Sequence, residues 1–260
     1  IIMVEGDAEN ILVPVIADIL GYPLEKYGVS VVNVGSTAFL RYSGIMIRKD
    51  GRGIGIPVSV ITDCDVRPYD IDKDTNEKIF NEKESESTQK EKENNEKYTN
   101  GSVRGFTSPR WTLEYCIAMS CLSEEFHKSV HYGKKILNAR DYIALTDEKI
   151  NEANQEMEKE EEQWHTLPLW KKAYQIYDLM LDKDGKSGLK AIVAQCFASF
   201  LRWKISVIPE NLKQEKMFDL DLYRLKIDDK KKFELKSKIE GDQFLSYIVK
   251  AIKYAAGETV

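Results

Sequence analysis

The sequence predicts an α/β fold: a parallel sheet flanked by helices, followed by a mainly helical carboxyl-terminal extension. Three observations point there. Short, wholly apolar runs alternate with helix-period segments over the first sixty or so residues, the pattern of strand, helix, strand that builds a parallel sheet. Two of those runs end directly in acidic residues. Beyond residue 115 the periodicity is almost entirely helical. At 260 residues, with 42% apolar side chains, the chain has enough material for one sizeable domain carrying a helical appendage. The expected division is a catalytic core over 1–135, with a charged, mobile insertion at about 70–100, and a helical extension over 136–260 that completes the domain.

Ile1 to Val4 is the first buried strand, and Gly6 turns the chain straight after it, leaving Glu5 at the strand's carboxyl end. From Asp7 the apolar rows Ile11, Val15, Ile19 and Leu12, Ile16, Leu20 mark a helix, with Pro14 read as near its start and Gly21 as its stop. Glu9 falls in its first turn. Val29 to Val34 predicts a second buried strand, and Thr37 to Tyr42 a short helical segment. Ile56 to Thr62 predicts a third strand ending in Asp63 and Asp65, which share a direction if the strand continues past Cys64. Four carboxylates gathered at the carboxyl ends of two strands repel one another, and a divalent cation is the natural neutraliser. In open parallel sheets ligands collect at that same end, so pattern and topology agree on one site.

From Tyr69 to about Asn100 the composition collapses into Lys, Glu, Asn, Asp, Ser and Thr. Such a stretch buries too little apolar area to offset its ordering entropy, which predicts a mobile surface insertion, with a charged two-helix flap as the alternative. Ser102 to Ser108 predicts a strand. Thr112 and Glu114 would present a hydroxyl and a carboxylate on one face if that piece is extended. A helix from Tyr115 to about Tyr132 follows. It carries His127 and His131 at the four-residue spacing of zinc proteases, but there is no HExxH and His165 is the only other histidine, so the pair is read as solvent-facing or capping. Thr146 to Gln163 predicts an exposed acidic helix. Pro168 opens a helix with Trp170, Ala173, Tyr174, Tyr177 and Leu181 as its packing stripe. Lys190 begins another helix, and Asp242 to Ala256, ended by Gly257, predicts the last.

The net charge of −5 excludes a protein coated in basic residues for nucleic acid, though not an enzyme whose bound cations supply local positive charge. No apolar run is long enough to cross a membrane and no secretory signal is present. Cys64, Cys116, Cys121 and Cys196 form no CxxC pair and read as reduced, buried thiols of a soluble cytoplasmic protein.

The ordered set VEGDAENILVPVIADILG, VVNVGSTAFLRY, VITDCDVRP and WTLEYCIA resembles the Toprim nuclease half of the OLD (overcoming lysogenization defect) family of ATP-dependent endonucleases. The likeness is good over about the first 125 residues and loose thereafter. It implies a Toprim (Rossmann-like) sheet and metal-dependent DNA cleavage, in phage defence as an ATPase-coupled effector. It also implies two Mg²⁺ or Mn²⁺ ions about 4 Å apart. By resemblance Glu5, Glu9 and Asp63 hold one ion, and Asp65, Thr112 and Glu114 hold the other, the last two matching the family's Ser/Thr-x-Glu. A family Lys-x-x-x-Ala-Gln segment that steadies phosphate charge is matched by Lys190, Ala194 and Gln195, with Lys186 as competitor. Glu5, Asp63 and Lys190 are thus the expected catalytic residues. The insertion at 70–100 departs from the family's tighter spacing between Asp65 and Glu114. Because the chain starts in a strand and contains no GxxxxGK[ST] loop, it reads as a fragment without the family's ATPase domain. The family further implies DNA as partner and a homo-oligomer. Two other classes stay open: a Toprim enzyme of the topoisomerase, primase or RNA-processing type, and a non-catalytic Toprim scaffold.

Overall fold

The computed structural model describes residues 1–47, 55–137, 146–181, 188–210, 212 and 225–260. Four parallel strands form the central sheet, in the order β2-β1-β3-β6: β1 (Ile2–Val4), β2 (Val31–Asn33), β3 (Val58–Thr62) and β6 (Val103–Thr107). Both faces are covered at the centre of the sheet, which is why β1 and β3 are apolar at every position but Ser59 and the terminal Thr62, whereas β2, expected to be buried, is an edge strand with Val32 and Asn33 exposed. The two-residue period sends Ile2, Val4 and Ile61 into the main core. Met3, Val58 and Val60 point the other way, into a second cluster with Phe39, Tyr98 and Val103. Ser59 faces the main core and its hydroxyl donates to the Ala251 carbonyl at 2.7 Å, so its burial is satisfied.

Helix α1 (Asp7–Leu20) follows β1; of the predicted rows Leu12, Ile16, Ile19 and Leu20 are buried and Ile11 and Val15 only partly so, while Val13 and Ala17 join the buried face. Gly21, at φ 92°, stops it as expected. Pro14 is a correction: it lies well inside the helix, on the exposed face beside the exposed Asn10, whose carbonyl it cannot bond. Helix α2 (Phe39–Met46) leads away from β2.

The stretch read as a mobile insertion carries regular structure instead. An antiparallel hairpin, β4 (Tyr69–Ile71) and β5 (Lys78–Phe80), precedes helix α3 (Glu84–Tyr98), which packs on β6. Polar contacts supply what apolar area does not. The Asn95 carboxamide oxygen accepts from both the Thr107 amide and its hydroxyl, each at 2.8 Å, and Ser87, Asn94 and Tyr98 are buried. Gly105 permits the approach, since a Cβ there would sit 3.0 Å from the Asn95 backbone. The hairpin is anchored by Tyr69 and Phe80, which pack edge-on against Tyr174.

The helix expected from Tyr115 to Tyr132 is two helices, α4 (Leu113–Met119) and α5 (Ser123–Leu137), broken at Ser120. Beyond them come α6 (Asp147–Trp164), α7 (Leu169–Asp178), α8 (Lys190–Lys204), α9 (Asp229–Glu240), which the sequence reading did not identify, and α10 (Ser246–Ala255). Helices α8 and α9 pack on α1, α10 on β3, α7 on α4, and α6 on α5. His127 and His131, read as solvent-facing, are 0% and 2% exposed, shut in by α6. Cys121 is the exception among the thiols, being exposed. Among the described residues no helix is long and apolar enough to cross a membrane. Lys186 lies outside the described residues.

Candidate active site

The carboxyl ends of β1 and β3 bring Glu5 and Asp63 side by side. Glu5 Oε1 accepts from the Thr62 hydroxyl and, at 3.1 Å, from the Asp63 amide. Asp63 Oδ1 in turn accepts from the Leu113 amide at 2.9 Å, which ties the strand end to the first turn of α4. Gly6 is extended (φ −148°) as the N-cap of α1, and Glu9, one turn in, folds back until its Oε2 would lie 3.3 Å from a Cβ at Gly6. A side chain at position 6 would therefore crowd the carboxylate that the turn brings in.

Thr112 and Glu114 do not lie on an extended strand. Thr112 is the N-cap of α4, its hydroxyl accepting from the Tyr115 amide, and Glu114 sits in the first helical turn. The helical turn swings Glu114, only 3% exposed, toward Glu9 rather than Asp65. Lys190, the first residue of α8, donates to Glu114 Oε2 at 3.0 Å. Asp65 does not continue β3. It adopts a left-handed conformation (φ 62°), donates its amide to the Trp111 carbonyl at 2.9 Å and is exposed.

Two clefts result. One, of about 400 Å³, is lined by Glu5, Glu9, Asp63, Glu114 and Lys190. The other, of about 590 Å³, is lined by Asp65, Thr112, Arg67, Lys78, Tyr69 and Trp111, and it shares Asp63 and Lys190 with the first. Asp63 and Lys190 are the wall between them. Of the residues expected from sequence, Glu5, Glu9, Asp63, Glu114 and Lys190 converge, while Asp65 and Thr112 face the adjoining cleft. Sequence reasoning missed Thr62, which tethers Glu5, and the cations Arg67 and Lys78; the position of Arg67, just past a strand-end acid pair, was the available signal.

Electrostatics mark the first cleft as short of positive charge. Burial pushes the Asp63 carboxyl well above the usual carboxylate range, and Glu9, Glu114 and Glu5 add to that, against the opposing pull of Lys190. Burial and the Glu114 carboxylate raise Glu9 to about 7. Burial also raises Glu5, despite its two hydrogen bonds. Burial alone would lower the Lys190 ammonium, but Glu114, Tyr177 and Asp63 reverse this and hold it above the ordinary lysine range. One ammonium does not balance four converging acids. The donor set is oxygen only, which suits a hard divalent cation such as Mg²⁺ or Mn²⁺.

Residues 1–65, which include Glu5, Glu9, Asp63 and Asp65, match the family model described as Overcoming lysogenization defect protein-like, TOPRIM domain. The chain opens with an OLD-like Toprim domain. The parallel sheet flanked by helices, with its helical carboxyl-terminal portion, is the fold class expected from the sequence. No curated protein matches the chain. Among solved structures, it is similar to the C-terminal region of the Burkholderia pseudomallei OLD protein, at 18% identity and TM-score 0.43, covering 98% of this chain and 97% of that one. It is also similar to the C-terminal region of the Xanthomonas campestris pv. campestris OLD protein, at 19% identity and TM-score 0.41, covering 98% and 93%.

Proposed function

We propose that this chain is a divalent-metal-dependent DNA endonuclease of the OLD type, hydrolysing phosphodiester bonds at the junction of the two clefts. The observation that carries this reading is the convergence of Glu5, Glu9, Asp63 and Glu114 around a single lysine, at the strand ends of an OLD-like Toprim domain. Glu5, Glu9, Asp63 and Glu114 would hold the metal on one side, with Asp65 and Thr112 available across the Asp63 wall. When bound, such ions make a water nucleophilic and counter charge on the phosphoryl and leaving oxygens.

The chain's own residues do the rest. Thr62 and the Leu113 amide fix the Glu5 and Asp63 carboxylates, so that little reorganisation is needed on binding. Lys190, charged throughout the working pH range and facing both clefts, turns from Glu114 toward the incoming phosphate. Arg67 and Lys78 line the adjoining cleft with Tyr69, Trp111 and Tyr177, a mixture of cations and aromatic faces suited to a sugar-phosphate backbone and its bases. Phage defence and assembly as a homo-oligomer belong to the same family-level reading.

The test is plasmid nicking with Mg²⁺, Mn²⁺ or EDTA, comparing wild type with Asp63→Ala, beside an RNA duplex and a supercoil-relaxation control. Metal-dependent nicking lost in the variant supports the proposal. Metal-independent cutting overturns the metal-dependent mechanism, and no cutting at all returns the chain to the scaffold reading. Cleavage confined to RNA, or relaxation without nicking, moves it to the other Toprim enzymes.

A further inference from the structure

The two buried histidines do not belong to the acid cluster. His127 and His131 lie one turn apart on α5, their Nε2 atoms 3.3 Å from each other. Glu160, from α6, places Oε2 2.8 Å from His127 Nε2 and 2.7 Å from His131 Nε2. The far side of each ring faces a further carboxylate: His127 Nδ1 lies 3.3 Å from Glu161 Oε1, and His131 Nδ1 3.3 Å from Glu156 Oε2.

Every one of these ring nitrogens faces a carboxylate, which can only accept, and a neutral ring has one hydrogen to give, so one nitrogen of each ring turns a bare lone pair toward an oxygen. With the hydrogens on Nδ1, toward Glu161 and Glu156, both Nε2 atoms turn lone pairs toward each other and toward Glu160 Oε2. Three electron-pair donors within 2.7–3.3 Å need something positive between them. One divalent ion answers with a single charge centre. Ligands about 2.0–2.1 Å from a tetrahedral zinc stand about 3.3 Å apart, which the histidine pair already matches, while Glu160 Oε2, at 2.7–2.8 Å from both rings, has to draw back by about 0.5 Å to admit the ion. The carboxylate behind each ring is the outer support that fixes ligating histidines in the right tautomer.

We propose that His127, His131 and Glu160 form a zinc site that clamps α6 onto α5. The nitrogen-rich set favours Zn²⁺ over the hard cations suited to the acid cluster. The fourth position is left to water, which reaches the site on the partly exposed Glu160 side. The clamp answers a need of the fold. Of the 18 residues of α6 only Ile150, Ala153 and Met157 are buried, too thin an apolar stripe to hold so acidic a helix.

The experiment uses the full chain stripped with EDTA and titrated with Zn²⁺ or Co²⁺. Binding of a single Zn²⁺ equivalent is expected to persist in Asp63→Asn and to disappear in His127→Asn/His131→Asn. Co²⁺ should give the intense visible bands of a tetrahedral site and quench Trp164, whose ring stacks on His127 at 5.3 Å. Glu156→Gln and Glu161→Gln should each weaken Zn²⁺ roughly 10–100-fold. Zinc should also raise Tm by several degrees. Failure of wild type to take up Zn²⁺, a Co²⁺ spectrum without tetrahedral bands, or equal binding by the double histidine variant overturns the proposal. Should the double variant not fold, Glu160→Gln and the wild-type Co²⁺ spectrum decide. Activity on DNA is not a readout, so a failed nuclease reading leaves this test intact.

Discussion

Two clusters of ionisable side chains lie within one fold and are built on opposite principles. At the strand ends, acids from β1, α1, β3 and α4 meet around Lys190 with oxygen donors only, and burial drives the Glu5, Glu9 and Asp63 carboxyls upward. Between α5 and α6, two imidazoles meet one carboxylate, whose Oε2 lies 2.7–2.8 Å from both rings. The first cluster has too much negative charge and an open cleft beside it. The second is nearly closed and surrounds each ring with partners on both sides. The difference teaches what each is for: an open, oxygen-lined site suits exchangeable hard cations and a substrate, whereas an enclosed nitrogen-and-oxygen site suits a resident ion that holds helices together.

The contrast breaks first at Asp63, which touches both clefts. Asp63→Ala should lower DNA cleavage by about 10³-fold in a plasmid-nicking assay while leaving zinc uptake by the histidine cluster intact. Loss of both would mean that the clusters are not independent. Next comes Lys190→Ala, expected to cost about 10²-fold in cleavage rate, because it removes the cation shared by both clefts and leaves Glu114 buried without its partner. A loss confined to KM would show that Lys190 only collects substrate.

The pH dependence sharpens the comparison further. Glu9 is raised from 4.5 to about 7 in the folded chain, so between those values the folded state holds a proton that the unfolded state has lost. That contribution is fully present below about pH 4.5 and is lost as pH rises toward 7. Metal-free protein should therefore lose Tm across that window, and Mg²⁺ should restore more of it at pH 7.5 than at pH 5. Thermal melts with and without Mg²⁺ check the sign; Mg²⁺ stabilisation that is equal at both values would contradict it. Smallest is Thr112→Ala, which removes the α4 cap and should destabilise the fold by about 1 kcal/mol in a denaturant titration.

How much of this was legible in the sequence follows from where each contact's information lies. Glu5 and Asp63 could be placed because a wholly apolar strand ends in an acid, and a local pattern fixes both strand and terminus. Thr112 carried a legible signal that the strand reading overrode: a threonine just before an apolar run is a helix cap, and the cap decides which way Glu114 turns. The hairpin and α3 were hidden because their anchors are distant and polar, with Asn95 held by Thr107, and Tyr69 and Phe80 by Tyr174 far along the chain. The histidine pair was visible, but its third ligand was not. Glu160 is one acid among many on α6, and only the packing of α6 against α5 distinguishes it from its neighbours.

The strand-end acids are expected to grip divalent cations. Crystals soaked in Mn²⁺ and measured at the manganese absorption edge test it most directly. Anomalous density among the Glu5, Glu9, Asp63 and Glu114 carboxylates, with Lys190 swung away from Glu114, is the predicted result. A clean map in which Lys190 still pairs with Glu114 and no density lies beside Asp63 would contradict it.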